Sequence, residues 1–312
     1  MGSRQNGPSA MEVNAFLVGA SKCGTSTLVD LMSVHEEISV CGIKEPNYFS
    51  DDLPEDVFSR RHANNVEQYH DLWAGGSEKT VVKIEASVGY FYSKVAAMKI
   101  KEYNPSSKII IILRNPVDRL RSAHGHRLNS GNEDVSGVLE AFSLDSKRKT
   151  GASLPRGCAN FRPYREMMDY PKQIKRFLDC FDREMVHIML MEDLIEERER
   201  SICDLWDFLE VKDIGTYEVP HSNKSNIVRS RMASSLMAPN SFLVRFFYVP
   251  LRKFRVFSWL GRKIRELNLK EGSPPKLSES ERIFLVSEFR EMAEETSRIT
   301  GIDVMSRWSD FH

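Results

Sequence analysis

The chain has 312 residues, of which 41% are hydrophobic and 28% charged, a composition typical of a folded globular protein. Lysine plus arginine and aspartate plus glutamate balance at 44 each, so the net charge gives no reason to expect a nucleic-acid partner. No apolar run approaches the ~18 residues that a transmembrane helix needs, so we expect no membrane span. The sequence does not indicate an oligomeric state.

The cysteines are odd in number and scattered along the chain, at Cys23, Cys41, Cys158, Cys180 and Cys203. They favour reduced thiols in a cytoplasmic protein over a disulfide framework. We expect no metal site, because no Cys/His spacing typical of zinc occurs. The polar N-terminus lacks the apolar core of a signal peptide. We interpret residues 1–12 as a disordered leader or a cloning remnant, and 13–312 as the folded domain.

Hydrophobic periodicity predicts strands and helices that alternate along the chain. The predicted strands are Val13–Val18, Ile38–Cys41, Thr80–Ile84, Lys108–Leu113 and Val186–Met191. The predicted helices are Thr25–Val34, Ser93–Tyr103, Pro116–Leu128, Pro171–Cys180, Leu194–Leu209 and Ser278–Thr300. The four isoleucines within Lys108–Leu113 indicate a central strand buried on both faces. The alternation predicts the α/β class, with a P-loop-type parallel sheet flanked by helices in a single domain.

Two segments have more than one interpretation. Residues 129–160 are rich in glycine, serine and charge, and they fit either a mobile lid or a surface excursion. Residues 240–270 combine aromatic side chains with arginine and lysine. They fit either a core helix whose basic side chains reach the solvent, which we favour, or a helix at a membrane or partner surface.

The most informative stretch is the loop that follows the first strand, within 16–27. Gly19 and Gly24 have the spacing of the phosphate-binding pattern G-x-x-x-x-G-K-[ST], and Ser26 keeps the hydroxyl. Thr25 replaces the usual lysine, and Lys22 lies inside the loop instead. Backbone N–H groups at a helix N-terminus can still hold a phosphate. The pattern therefore indicates a phosphate-bearing nucleotide other than ATP or GTP used in the ordinary way.

Two further segments follow other predicted strands. The first is the box from Lys44 to Phe49, with the sequence KEPNYF, and the second runs from Ile111 to Ser122, with the sequence IILRNPVDRLRS. Ligands of parallel sheets bind beyond the carboxyl ends of the strands. The three segments are therefore expected to meet in one crevice.

Taken together, these segments resemble the sulfotransferases that use 3′-phosphoadenosine 5′-phosphosulfate (PAPS). The resemblance is to the branch with heparan sulfate sulfotransferases and many bacterial relatives. It extends from about residue 14 to the end of the chain and includes Met191–Leu194, with the sequence MEDL. It implies PAPS as donor, adenosine 3′,5′-bisphosphate (PAP) as product, and a hydroxyl or amine of a small molecule or saccharide as acceptor.

The resemblance also implies roles for individual residues. The loop would hold the 5′-phosphosulfate through Ser21, Lys22, Cys23, Gly24, Thr25, Ser26 and Thr27. Arg114 and Ser122 match the arginine and serine that bind the 3′-phosphate. Arg229 and Arg231 match a late basic segment that closes over the nucleotide. For Arg114, an ion pair with Asp118 is the structural alternative.

In the family the glutamate of a K-E-x-H-F-F box is the catalytic base, and here it corresponds to Glu45, next to Lys44. Lys22 is placed to stabilise the charge that develops on the leaving phosphate. His124 and His126 follow Ser122 and are candidates for orienting the acceptor or for an alternative base. Lys44, Lys83 and Glu85 are candidates for contacting the acceptor, although Ala86 stands where heparan-type enzymes have a lysine.

Two other functions share the strand, loop and helix of the N-terminal region. A P-loop kinase or nucleotide triphosphatase would be expected to carry the missing loop lysine and a clear Walker-B strand end. A noncatalytic nucleotide-binding module would bind the nucleotide tightly without turnover.

Overall fold

The computed structural model describes most of the chain. The described residues are 12–54, 61–73, 77–155, 158, 161–215, 226–236, 241–242, 244, 246, 263, 267–272 and 276–312. The predicted leader, apart from Glu12, and most of the aromatic and basic segment 240–270 lie outside them.

A five-stranded parallel sheet forms the centre of the fold, in the order β2-β3-β1-β4-β5. Its strands are β1 (Ala15–Gly19), β2 (Ile38–Val40), β3 (Val82–Ala86), β4 (Lys108–Leu113) and β5 (Val186–Leu190). A small antiparallel pair is formed by β6 (Asn226–Val228) and β7 (Leu269–Glu271). The predicted α/β class and parallel sheet are confirmed.

Helices connect the strands and cover the sheet. Up to the last strand of the sheet they are α1 (Thr25–Ser33), α2 (Val66–His70), α3 (Ala96–Tyr103), α4 (Pro116–Ser130), α5 (Val138–Ser143), α6 (Asp145–Lys149), α7 (Tyr164–Met168) and α8 (Tyr170–Leu178). After it come α9 (Met191–Glu196), α10 (Arg198–Leu209), α11 (Arg231–Leu236), α12 (Glu279–Thr300) and α13 (Val304–Arg307). Of the helices described, none is long and apolar enough to cross a membrane.

The central position of β4 follows from its side chains. All four isoleucines, Ile109 to Ile112, are 0% exposed, because β1 and β5 flank the strand and helices cover both faces of the sheet. Gly19 ends the neighbouring strand β1. A Cβ at this glycine would lie 2.6 Å from Cβ of Phe91, so only glycine allows the two segments to approach this closely.

Most predicted elements are present, with shifted boundaries. β3 begins two residues later than predicted, at Val82 rather than Thr80. The single helix predicted over Leu194–Leu209 is instead two helices, α9 and α10, separated at Glu197, whose φ of −122° and ψ of 47° leave the helical region.

Residues 129–160, which the sequence describes as either a lid or a surface excursion, contain two short helices, α5 and α6, and a buried ion pair. Nη1 and Nη2 of Arg148 each donate to the Glu133 carboxylate at 2.7 Å, and the two side chains are fully buried. Tyr164 adds a hydrogen bond of 3.0 Å to the same carboxylate. Removing one partner of such a pair typically costs about 3–5 kcal/mol, so the pair holds the two halves of this segment together.

Candidate active site

The loop after β1 forms a concave backbone at the N-terminus of α1. Lys22 and Gly24 have positive φ values of 68° and 91°, and these conformations turn the loop back over the end of the strand. The first helical hydrogen bond joins Leu28 N–H to Gly24 O at 3.1 Å. The preceding N–H groups of the first turn therefore face the loop, where they can bind an anion.

The side chains around this backbone are hydroxyls and cations. Thr25, Ser26 and Thr27 are partly exposed, and Lys44 Nζ donates to Ser26 Oγ at 3.3 Å. Burial lowers the pKa of Lys22, and the nearby charges of Lys44 and Arg114 lower it further. Two lysines and one arginine thus repel one another at this end of the sheet, and a bound anion would relieve the repulsion.

Arg114 follows the last residue of β4 and extends to the loop. Its Nη1 donates to the Lys22 carbonyl oxygen at 3.3 Å, which joins the two strand ends. Asp118, the alternative ion-pair partner, instead accepts a hydrogen bond from Arg282 at 3.2 Å. Arg114 is partly exposed, so its guanidinium remains accessible to a ligand.

Ser122 lies in the second turn of α4 and is partly exposed. Both β6 and α11 contact this helix, which brings the late basic segment to the same side of the molecule. Arg229 is exposed, and its N–H donates to Asn268 O at 2.7 Å. Arg231 begins α11, but its side chain lies outside the described residues.

Glu45 lies beside the cationic cluster in an unusual backbone conformation, with φ of 52°. Burial raises the pKa of its carboxyl, and the charges of Lys44, Arg162 and Lys22 partly offset this. Asn47 Nδ2 donates to the Glu45 carbonyl oxygen at 2.7 Å and closes the turn.

A cavity of about 90 Å³ adjoins Glu45 and the loop. Its lining includes both charged and apolar groups. The residues are Ser21, Glu45, Asn47, Ser50, Leu53, Pro54, Arg61, Val88, Gly89, Phe91, Tyr92, Arg119, Arg162, Met167 and Gln173. A polar group of a second substrate can enter this space next to the Glu45 carboxylate.

The two candidate histidines differ in position. His124 is 0% exposed, and its Nε2 lies 3.0 Å from Val135 O, so this ring is part of the interior and does not reach the crevice. His126 is exposed. Surrounding protein and the charges of Lys22, Arg127 and Lys44 lower its pKa to about 4, which leaves the ring neutral at pH 7.

Three other predicted site residues do not reach the crevice. Lys83 is the second residue of β3, and its N–H bonds to Asn14 Oδ1 at 2.8 Å, at the opposite end of the sheet. Glu85 is 0% exposed and hydrogen-bonded in the interior. The Cys23 thiol is buried against Tyr170, and its N–H donates to Ala20 O. The structure thus places these three side chains away from the crevice, because strand direction and burial could not be assigned to single side chains from the sequence.

Three side chains that the sequence analysis did not identify support the site. Tyr170 is buried and donates to the Arg114 carbonyl oxygen at 2.7 Å. Arg119 is 3% exposed and donates from Nε to Ser21 O at 3.0 Å. Glu192 accepts from Asn115 N–H at 2.9 Å. Arg119 belongs to the N-P-V-D-R run that links Arg114 to Ser122, but nothing in its spacing shows that it fixes the loop.

Chemically, this arrangement combines an anion cradle with a carboxylate of raised pKa. The cradle has backbone N–H groups, hydroxyls and three cations, while the carboxylate lies at the mouth of a separate cavity. This combination can stabilise a charged leaving group on one side and accept a proton on the other. Within the described part of the chain, no three His, Cys, Asp or Glu side chains are grouped closely enough to hold a metal ion.

The chain is similar to known proteins both in sequence and in fold. A family model described as "Sulfotransferase domain" matches residues 13–237. Human heparan sulfate glucosamine 3-O-sulfotransferase 3B1 is 23% identical over 211 residues, which cover 68% of this chain and 49% of that protein. Human carbohydrate sulfotransferase 15 is 23% identical over 263 residues, with coverage of 69% and 47%. The chain thus spans about half the length of the curated relatives it matches.

A solved structure of a sulfotransferase from Alicyclobacillus acidocaldarius has a similar fold. The TM-score is 0.67 at 24% sequence identity, with 95% of this chain and 99% of that chain covered. At this level of identity the similarity concerns the fold alone.

Proposed function

This chain belongs to the sulfotransferase domain family, and we propose that it transfers a sulfuryl group from PAPS to a hydroxyl or amine of an acceptor. The observation that carries the proposal is the joining of Arg114 to the Lys22 carbonyl oxygen at 3.3 Å. It places a guanidinium suited to a phosphate dianion beside the anion cradle, as a nucleotide with phosphates at both the 3′ and 5′ positions requires.

In this proposal the loop binds the 5′-phosphosulfate. The first-turn N–H groups of α1, the hydroxyls of Thr25, Ser26 and Thr27, and the Lys22 ammonium surround the phosphate. Arg114 and Ser122 hold the 3′-phosphate, and Arg229 and Arg231 close over the nucleotide. PAPS has no γ-phosphate, which accounts for Thr25 at the position where triphosphatases have lysine. A P-loop kinase is for this reason not favoured.

Glu45 is the proposed general base. The acceptor oxygen or nitrogen attacks sulfur, its proton passes to the Glu45 carboxylate, and the bond from sulfur to the 5′-phosphate oxygen breaks. Lys22 and the loop N–H groups then stabilise the negative charge gained by the phosphate of PAP. A raised pKa makes Glu45 a stronger base, and a positioned base typically contributes ~10²–10⁴-fold to rate. His126, neutral at pH 7 and near Lys22, is the alternative base.

The acceptor is proposed to enter the cavity beside Glu45. Arg61 and Arg162 line it with guanidinium groups suited to a polar acceptor. Tyr92 also lines it, with a hydroxyl that donates to Glu166 at 2.8 Å and keeps only its oxygen to accept. Relatives named for heparan sulfate glucosamine and carbohydrate substrates support a saccharide acceptor. A smaller alcohol is the second option, because the cavity is only about 90 Å³.

The sulfotransferase unit is proposed to extend past residue 237 to the end of the chain. Asp310 accepts from Asn115 Nδ2 at 2.7 Å, and Arg282 links Asp118 to Asp310. These contacts tie α12 and the C-terminus to the turn that carries Arg114. We also propose a cytoplasmic location, supported by the odd number and scattered positions of the five cysteines, which favour reduced thiols over a disulfide framework. Cell fractionation with thiol labelling tests the location, and an oxidised, secreted protein would contradict it.

Thermal denaturation with added nucleotide tests the proposed donor. A ligand present at ~100 times its dissociation constant adds about 2.7 kcal/mol to the free energy of unfolding. PAP is expected to raise the melting temperature more than ATP at equal concentration. If ATP stabilises the protein and PAP does not, the proposed function is wrong.

Transfer is then measured with ³⁵S-labelled PAPS and an acceptor panel of heparan sulfate, chondroitin sulfate and p-nitrophenol. Label on a saccharide supports the carbohydrate acceptor, and label on p-nitrophenol alone supports the small acceptor. Tight PAP binding with no PAPS turnover on any member would favour the noncatalytic nucleotide-binding module.

A further inference from the structure

A buried carboxylate, Glu85, shares hydroxyl partners with the segment that contains the proposed base. Glu85 is 0% exposed, and its two carboxylate oxygens accept hydrogen bonds of 2.5 Å from Ser87 Oγ and from the Tyr69 hydroxyl. The Tyr90 hydroxyl contributes a further hydrogen bond. Burial raises the pKa of Glu85 to about 7, and the hydroxyl donors limit the rise. The proposed reaction gives this residue no task.

Two of these hydroxyls also hold the backbone of the segment that contains Glu45. Asn47 N–H donates to Ser87 Oγ at 3.1 Å, and Phe49 N–H donates to the Tyr90 hydroxyl at 3.1 Å. A hydroxyl has one proton and two lone pairs. Because each proton is given to Glu85, a lone pair of each oxygen is left to accept the backbone N–H.

The segment held in this way has a conformation that needs support. Glu45 and Asn47 both have positive φ, at 52° and 55°, a region that residues other than glycine rarely occupy. Such conformations are strained, and they persist where the surrounding structure holds them. The hydrogen bonds from Asn47 N–H and Phe49 N–H to the two hydroxyls stabilise this conformation on the side of the segment that faces β3.

We infer that Ser87 and Tyr90 are positioning residues for Glu45: their hydroxyls, oriented by Glu85, hold the backbone of residues 45–49. The inference rests on the proposed function in assigning Glu45 as the base. The sequence predicts that Glu85 contacts the acceptor directly. In this inference Glu85 instead acts on the site indirectly, through the hydroxyls that it orients. Tyr69 provides the matched control, because its hydroxyl also donates to Glu85 while neither Asn47 N–H nor Phe49 N–H donates to it.

The test compares three variants, each of which removes one hydroxyl that donates to Glu85. Glu85 itself is not substituted, because its loss can prevent folding. They are Ser87→Ala, Tyr90→Phe and the control Tyr69→Phe. Amide hydrogen exchange at Asn47 and Phe49 is measured by NMR in the full-length protein, without nucleotide. PAP affinity is then measured for each variant. The kcat is measured with PAPS and with the member of the acceptor panel that the wild-type protein sulfates.

Loss of one hydrogen bond is expected to speed exchange about tenfold, at Asn47 in Ser87→Ala and at Phe49 in Tyr90→Phe. Exchange at both amides is expected to stay within about twofold of wild type in Tyr69→Phe. A displaced base can lower kcat by up to ~10²-fold. We expect a fall of at least about tenfold in Ser87→Ala and Tyr90→Phe only, with PAP affinity and KM for PAPS unchanged.

Equal exchange at Asn47 and Phe49 in all three variants would overturn the inference, as would an unchanged kcat in Ser87→Ala and Tyr90→Phe. An equal loss of kcat in the Tyr69→Phe control would also overturn it, since that points to a general loss of stability. A wild-type protein that fails to bind PAP contradicts the proposed function instead. In that case the exchange rates still decide whether the Glu85 hydroxyl network holds residues 45–49.

Discussion

Arg114 Nη1 lies 3.3 Å from the Lys22 carbonyl oxygen, so the end of β4 is joined directly to the loop that follows β1. Tyr170 holds the backbone of Arg114 through its hydrogen bond to the Arg114 carbonyl oxygen. The guanidinium therefore lies beside the loop, as a nucleotide with phosphates at both ends of its ribose would need.

Substitution of the proposed base should separate catalysis from nucleotide binding. Glu45→Gln keeps the size of the side chain and removes its ability to accept a proton, so kcat is expected to fall by ~10²–10⁴-fold. PAP affinity, measured by calorimetry, is expected to change little. Glu36→Gln is the matched control, because Glu36 is exposed and pairs with Lys79. Full activity in Glu45→Gln would exclude Glu45 as the base.

The pH dependence of the rate provides a second test of Glu45 as the general base. Burial raises the pKa of this carboxyl above its ordinary value of 4.5, and the base must be deprotonated to act. The value of kcat/KM is therefore expected to rise with pH through a midpoint above 4.5 and then to level off. Glu45→Gln should lose this rise. A midpoint at or below 4.5 would contradict the described environment of the carboxyl.

His126 should titrate far below an ordinary histidine. Its pKa is lowered to about 4 by the surrounding protein and by Lys22, Arg127 and Lys44. At pH 6 a solvated histidine is largely protonated, whereas His126 is expected to be neutral. Bound PAP would offset the lysine charges, so we expect the NMR titration midpoint to move upward with PAP. A midpoint that stays fixed would place the phosphates away from this ring.

The close approach of β1 to Phe91 gives a test of the fold. Gly19→Ala would put a Cβ 2.6 Å from Phe91 Cβ, whereas Gly151, also at positive φ, has open space around it. We expect Gly151→Ala to lose about 1 kcal/mol of unfolding free energy from backbone strain. Gly19→Ala should lose more, about 2–4 kcal/mol, since it adds a clash with the Cβ and Cγ atoms of Phe91. Equal losses in urea denaturation would show that the loop can shift to accept the methyl group.

Much of the sheet could be predicted because its signals are local. Four consecutive isoleucines need two covered faces, and β4 was predicted with its observed boundaries, Lys108–Leu113. The loop could likewise be found from glycine spacing, since positive φ at Gly24 is a backbone requirement that the sequence displays.

The errors concern which way side chains face. His124 and His126 are two residues apart on α4, yet one is buried and the other exposed, and no local pattern distinguishes them. Glu85 was assigned to the acceptor because a charged residue near a strand end is usually accessible. Its burial depends on Tyr69 and Ser87, whose hydroxyls satisfy the carboxylate, and tertiary contacts of this kind leave no periodic signal.

The central claim, that the site recognises a nucleotide with phosphates at both the 3′ and 5′ positions, is tested most directly by calorimetric titration with PAP, AMP and ATP. The account predicts that PAP binds at least about tenfold more tightly than AMP or ATP, because charge-assisted hydrogen bonds to the 3′-phosphate are worth about 1.5–3 kcal/mol. It also predicts that Arg114→Ala removes the preference for PAP over AMP, while the exposed control Arg298→Ala keeps it. Tighter binding of ATP than PAP by the wild type, or an unchanged preference in Arg114→Ala, would contradict it.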